Sequence, residues 1–118
     1  MIIGVGVDVV DLTRFENTLA DTPGFAERIF ADVERDAKPQ TLAGRWAAKE
    51  ALVKVLGDST GLNWHDVLVL REDTGKPTIA LSGATKQRAT SLGITNLHLS
   101  ISHDAGIACA FVVAEGDN

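Results

Sequence analysis

Residues 39–57 read PQTLAGRWAAKEALVKVLG, and the rest of the fold is organised around this stretch. Pro39 suits the first turn of a helix, where its missing N–H costs nothing, and Gly57 suits the position just past a helix end. Between them Leu42, Trp46, Ala47, Ala51, Val55 and Leu56 recur as an apolar stripe, which predicts one long helix over Pro39–Leu56. Toward the N-terminus, residues 2–10 (IIGVGVDVV) alternate and are rich in β-branched side chains, predicting a buried first strand. Thr13-x-x-Glu16 reads as a capping box that opens a helix, and Asp21-Thr22-Pro23-Gly24 stops it. FAERIF at 25–30 is a short helical piece.

Toward the C-terminus, Asp58-Ser59-Thr60-Gly61 is a small polar loop. A strand is expected over Val67–Arg71, a turn at Asp73-Thr74-Gly75, and a hairpin partner over Thr78–Leu81. Ser82 can cap a helix that runs to Leu92 and closes at Gly93. Leu97, Leu99 and Ile101 alternate with His98, Ser100 and Ser102, the pattern of a half-buried strand. Asp104-Ala105-Gly106 then turns the chain into a last apolar strand from Ile107 to Val113. The expected fold class is α+β, one compact domain over 1–118 with helices packed on a mainly antiparallel sheet.

Composition narrows the function. With 118 residues, 45% hydrophobic and 23% charged, the chain can bury a core without disulfides or metal staples. The single Cys109 excludes an internal disulfide framework, and its setting IACAFVV is that of a small core residue. No apolar run approaches a membrane span, and the opening MIIGVGVDVV reads as a strand, not a signal peptide; cytoplasm is the expected compartment. A formal charge of −5 argues against nucleic acid as a partner. The basic residues are nevertheless clustered: Arg45, Lys49 and Lys54 fall within ten residues, and Lys76 follows a turn glycine. A local basic pocket in an acidic protein suits a small phosphorylated ligand.

Two carboxylates stand out. Asp8 lies among Val7, Val9 and Val10, where an isolated charge would be expensive unless paired, capping or bound to a cation. Glu50 sits in the most apolar part of the long helix, four residues before Lys54. An exposed pair at that spacing is worth only a few tenths of a kcal/mol, about 0.3–0.5. If the first strand packs on the helix, however, Asp8 and Glu50 converge on one hard cation, magnesium, with water and phosphate oxygens completing its shell. Arg45, Lys49 and Lys54 then face the remaining phosphate charge. Gly75-Lys76-Pro77 and Ser100-Ile101-Ser102-His103 are weak signals alone, and no Walker A, GxGxxG or nucleophile-elbow pattern is present.

Taken in order, GVGVDVVDLTRF at 4–15, FAERIF at 25–30, LAGRWAAKEALVKVLG at 42–57, GKP at 75–77 and HLSISHDAGIACAFVV at 98–113 resemble a known family. It is the holo-acyl-carrier-protein synthases, within the 4′-phosphopantetheinyl transferase superfamily. The likeness covers nearly the whole chain, and G-V-D with W-A-A-K-E-A-x-x-K is its most specific part. It implies a magnesium-dependent enzyme that moves 4′-phosphopantetheine from coenzyme A to a serine of an apo acyl carrier protein, releasing 3′,5′-adenosine bisphosphate. Manganese is chemically acceptable at such an oxygen site. By the same resemblance Asp8 and Glu50 hold the metal, and Lys54 approaches the phosphates with them as the catalytic group. Arg45 and His103 meet the 3′-phosphate, and Lys76, Pro77 and Ser102 line the nucleotide pocket. Either Glu50 or a metal-bound water takes the serine proton. A homotrimer with active sites at subunit boundaries is implied, with Arg14 and Arg28 facing an acidic carrier protein or carrier domain.

The chain departs from the family in two places. Asp21 and Thr22 stand where relatives often carry arginines, which predicts a less basic carrier surface. Gly57-Asp58-Ser59-Thr60-Gly61 is longer than the family's compact glycine loop, which bears on phosphate contact at Gly57. Two other functions use the same residues: a magnesium-dependent nucleotide phosphohydrolase, and a non-catalytic coenzyme A sensor.

Overall fold

In the computed structural model, which describes residues 1–117, strand β1 (Ile2–Asp11) leads into helices α1 (Leu12–Asp21), α2 (Phe25–Ile29) and α3 (Asp32–Arg35). The long helix α4 (Pro39–Leu56) follows, then a 3₁₀ turn at Trp64–Asp66 and the hairpin β2 (Val67–Arg71) and β3 (Pro77–Leu81). Helix α5 (Gly83–Ser91) and the hairpin β4 (Asn96–Asp104) and β5 (Ile107–Glu115) complete the chain. β5 lies between β1 and β4 in an antiparallel sheet, and β2 pairs with β3 in a second antiparallel sheet of two strands. The α+β class expected from the sequence is the class observed.

The α4 boundaries agree with the sequence, Pro39 in the first turn and Gly57 at the C-terminal cap with φ 100°. Elsewhere local chemistry shifts the details. Asp11, not Thr13, caps α1: its carboxylate accepts the Arg14 amide at 2.8 Å, so Thr13 and Glu16 lie inside the helix. Ser82 occupies the α5 cap position without a side-chain capping bond. The turn after β4 places Ala105 and Gly106 both at positive φ, 51° and 75°, the conformation of a tight two-residue hairpin.

α4 packs on the sheet through small residues. Ala47, Ala48 and Ala51 meet Ala110, Val112 and Ala114 of β5, with Leu52, Leu56, Val67 and Val69 closing the core. β1 comes closer still because it carries glycine where it passes the helix. A Cβ on Gly6 would lie 2.0 Å from the Ala51 carbonyl oxygen, and one on Gly4 would lie 3.3 Å from that of Val55. A second cluster of Phe15, Phe25, Ile29, Phe30, Leu42, Ala43 and Ala108 seats α1 and α2 on the first half of α4.

The first strand is buried on one face only. Gly4, Gly6, Asp8 and Val10 turn toward α4, while Val5, Val7 and Val9 are 45–59% exposed on the outer face of the sheet. Phe111, opposite Val7 in register, is 45% exposed beside them.

Candidate active site

The glycines of β1 bring the helix near enough for the charged groups of the two elements to meet. Lys54 Nζ donates to the Val7 carbonyl at 2.6 Å and lies 3.4 Å from Asp8 Oδ1. Asp8, Glu50 and Arg14 line one cavity of about 210 Å³, whose apolar wall is Phe15, Phe25 and Trp46. The aromatic rings pack edge to face, Phe25 on Trp46 at 5.5 Å and Trp46 on Trp64 at 5.0 Å.

Glu50 is held above the ordinary carboxylate pKa, first by burial and then by the negative charge of Asp8, with Lys54 opposing. A carboxylate whose charging cost is raised by a second one beside it is what a cation relieves, so the donor set fits a magnesium-type ion. Among the described residues no cluster of three potential ligands occurs, and the other oxygens would come from water or a phosphorylated ligand. Because the folded-state pKa lies above the unfolded one, the penalty is absent in acid and grows as pH rises through the carboxylate range. The metal-free Glu50→Gln variant is therefore expected to melt on the order of 1–3 °C above wild type at neutral pH. The gap should close in mild acid, with circular dichroism in EDTA as the measurement. An equal or lower melting temperature at neutral pH would refute the electrostatic conflict.

On the other flank of α4 a second cavity, about 150 Å³, is lined by Arg45, Arg71, His103, Gly75, Pro77 and Ile101 among others. Residues 45 and 50 are five apart, about 140° around the helix, so one helix presents the two cavities on separate sides. The Arg45 guanidinium donates to the Glu34 carbonyl at 2.5 Å, and His103 Nε2 donates to that of Gln40 at 2.8 Å. Burial is the main cause that lowers the Arg45 pKa; Glu34 opposes it and the charge of Arg71 adds to it. Gly44 makes room for this wall: a Cβ there would lie 2.9 Å from Ile101 Cγ2 and 3.1 Å from His103 Nε2.

The structure thus brings Asp8, Glu50, Lys54 and Arg14 together, and Arg45, Pro77 and His103 together. Lys76 is exposed in the turn between Gly75 and Pro77, and Arg28 is exposed on α2 with its guanidinium 5.6 Å from the Phe25 ring centre. Three expectations require correction. Lys49 does not face a ligand: it is fully buried and spends its three donors on the Ile29 carbonyl, Glu34 Oε1 and the Trp64 carbonyl at 2.7, 2.8 and 2.9 Å. Ser102 lies opposite Cys109 on the outer face of the sheet, while its neighbours Ile101 and His103 line the cavity. The Gly57 amide already donates to the Val53 carbonyl at 2.9 Å, so it is not free for a phosphate. Sequence reading missed Arg71 and Gly44; a glycine inside the best helix, costing about 1 kcal/mol against alanine, was the available signal for the latter.

Residues 4–112 match the family model described as the 4′-phosphopantetheinyl transferase superfamily. The chain is 50% identical over 117 residues to the holo-[acyl-carrier-protein] synthase of Clavibacter michiganensis subsp. michiganensis, covering 99% of this chain and 98% of that protein. It is similar to the crystal structure of Helicobacter pylori holo-[acyl-carrier-protein] synthase in complex with coenzyme A, with a TM-score of 0.82 and 32% identity. That match covers 94% of this chain and 99% of the other. The Bacillus anthracis str. Ames holo-(acyl-carrier-protein) synthase in complex with CoA (3′,5′-ADP) matches with a TM-score of 0.81 and 35% identity, over 99% of both chains.

Proposed function

We propose a reaction for this chain, which belongs to the 4′-phosphopantetheinyl transferase superfamily and is an enzyme of the holo-acyl-carrier-protein synthase type. It transfers the phosphopantetheine of coenzyme A to a serine of an apo acyl carrier protein or carrier domain, and residues 1–118 act as one transferase domain. The observation that carries this reading is the pair of cavities flanking α4, one with the Asp8–Glu50 carboxylates and Lys54 beside it, the other cationic. A donor with a diphosphate in its middle and a phosphorylated nucleotide at one end needs both.

Asp8 and Glu50 would hold a magnesium ion (manganese being an acceptable substitute), which supplies charge neutralisation at the diphosphate when bound. Lys54, anchored on the Val7 carbonyl, faces the same phosphates. Arg45 and His103 take the 3′-phosphate end, with Pro77 beneath the nucleotide and Lys76 beside it. The serine oxygen forms a new bond to the inner phosphorus as the phosphoanhydride bond breaks. The serine proton passes to a base at the Glu50 end of the site, and 3′,5′-adenosine bisphosphate leaves with the electron pair of the broken bond. Arg14 and Arg28 are the cations placed to meet an acidic carrier, on the side of the carboxylate cavity.

Because the two cavities lie on separate sides of α4, a homotrimer that joins one protomer's carboxylate cavity to the next protomer's cationic cavity completes the site. The outer sheet face of Val5, Val7, Val9 and Phe111 supports this, as apolar side chains so grouped are normally covered by a partner surface. Among the described residues no helix is long and apolar enough to cross a membrane, consistent with a cytoplasmic enzyme.

The test is intact-mass spectrometry of an apo carrier protein incubated with this protein, coenzyme A and Mg²⁺. One added phosphopantetheine is expected, abolished by EDTA and slowed by about a hundredfold or more in Asp8→Ala. Coenzyme A cleaved without carrier modification would replace this reading with a phosphohydrolase. Binding without turnover on several carriers would replace it with a sensor.

A further inference from the structure

Arg88 of α5 lines neither cavity, yet its guanidinium is committed to the end of α4. Nη2 donates to the Leu56 carbonyl at 2.8 Å, and Nη1 donates to the carbonyls of Asp58 and Thr60 at 2.9 and 2.6 Å. Nη2 also lies 2.9 Å from Asp58 Oδ1, which accepts the Thr60 amide at 2.9 Å. The loop after α4 is therefore folded round one side chain from another element. The Asp58 side chain is 66% exposed, so the ion pair alone is worth little, and the three carbonyls are what Arg88 serves.

The last carbonyls of a helix lack intrahelical donors and carry the negative end of its dipole. In α4 the Val53 carbonyl accepts the Gly57 amide at 2.9 Å, and the Leu56 carbonyl accepts Arg88. Lys54 is the basic residue of the last turn, and a lysine so placed is drawn to its own helix end. Here it turns the other way. Its Nζ donates to the Val7 carbonyl at 2.6 Å and lies 3.4 Å from Asp8 Oδ1. Arg88 supplies the helix end with the cation that Lys54 withholds from it.

We propose that Arg88 is a positioning residue for the transfer. By capping the C-terminal end of α4 and fixing the loop that follows, it keeps Lys54 directed at Val7 and Asp8. This rests on the reading of Lys54 as the lysine that faces the phosphates of the donor. A displacement of about 1 Å at such a group costs up to about a hundredfold in rate, so a contact outside the cavities governs turnover.

Steady-state transfer to an apo carrier protein tests it, at a temperature where circular dichroism shows every variant folded. Arg88→Gln, which loses the charge and the fork, is expected to lower kcat by about tenfold or more while KM for coenzyme A changes by less than about threefold. Arg88→Lys, which restores a cation at the helix end, should recover part of kcat. In a Lys54→Met background, Arg88→Gln should change the rate by less than about threefold, because the group it positions is gone. A kcat for Arg88→Gln within about threefold of wild type would overturn the proposal. Equal losses with and without Lys54 would also overturn it, by showing a general structural role. A Lys54→Met protein as fast as wild type would overturn the reading of Lys54 and the proposal with it. A wild-type protein that modifies no carrier would overturn the transferase reading itself.

Discussion

Gly6→Ala is expected to destabilise the protein by about 3 kcal/mol or more and to lower its melting temperature by roughly 10–20 °C. The reason is the 2.0 Å that a Cβ at this position would leave to the Ala51 carbonyl oxygen, a distance no real contact tolerates. The obstacle is helix backbone, so no side-chain rotamer change relieves it. Either β1 or α4 must move, and the alanine interface of α4 with β5 then loosens as well. Function should fall along with stability. The same close approach sets Lys54 on the Val7 carbonyl and beside Asp8, so a helix pushed off the strand separates the carboxylates and the lysine of the candidate site. Gly4→Ala provides the graded comparison, because its Cβ would meet the Val55 oxygen at 3.3 Å, tight but tolerable after a small shift. The expected order of melting temperatures by circular dichroism is wild type, Gly4→Ala, Gly6→Ala. Gly6→Ala melting within about 2 °C of wild type would show that the helix slides freely on the sheet.

Lys49→Met is expected to cost about 3–5 kcal/mol, through loss of charge compensation more than loss of packing. Lys49 and Glu34 are both fully buried, and Glu34 is also a hub: Oε1 accepts the Ala31 amide at 2.9 Å and Oε2 the Val69 amide at 2.9 Å. Burial pulls the Lys49 ammonium below its ordinary pKa while Glu34 holds it up, and its charge also sits 5.4 Å from the Phe30 ring centre. Removing the lysine leaves a buried carboxylate without a counter-charge and two carbonyls, of Ile29 and Trp64, without their donor. Adding Glu34→Gln to Lys49→Met should recover part of the loss. A double-mutant cycle from urea midpoints is expected to give a coupling of about 2 kcal/mol or more. Additive losses would refute the ion pair as the source. Because the Glu34 carbonyl also holds Arg45, either single variant should raise KM for coenzyme A more than it lowers kcat.

Much of this architecture was legible from local chemistry. Pro39 and Gly57 marked both ends of α4, and the apolar run and turn signals placed β2 and the β4–β5 hairpin to within a residue or two. Helix α3 and the 3₁₀ turn at Trp64–Asp66 were missed because their stability is not local. α3 is a single turn whose Glu34 carboxylate is held by Lys49 and by the Val69 amide, and the Trp64 carbonyl is held by Lys49 from another element. Spacing also put Asp8, Glu50 and Lys54 forward as one group, since a strand carrying one carboxylate and a helix carrying the other must converge if they pack.

What the sequence by itself determined is most of the elements, the mainly antiparallel α+β class and the family, and it put Asp8 and Glu50 forward as a pair. The motif alone did not reveal which cation faces the ligand. Lys49 and Glu50 are adjacent in the chain and about 100° apart on the helix. α4 is packed on several sides, by the sheet, by the β2–β3 hairpin and by α1 and α2, so no polar face of the helix announces the solvent side. Only the tertiary structure decided that Lys49 is an internal strut, that Ser102 turns outward, and that Arg71, far from the motif lysines in sequence, stands with Arg45. The physical reason is that a side chain's charge is local information, whereas its burial and its partners depend on which elements close over it.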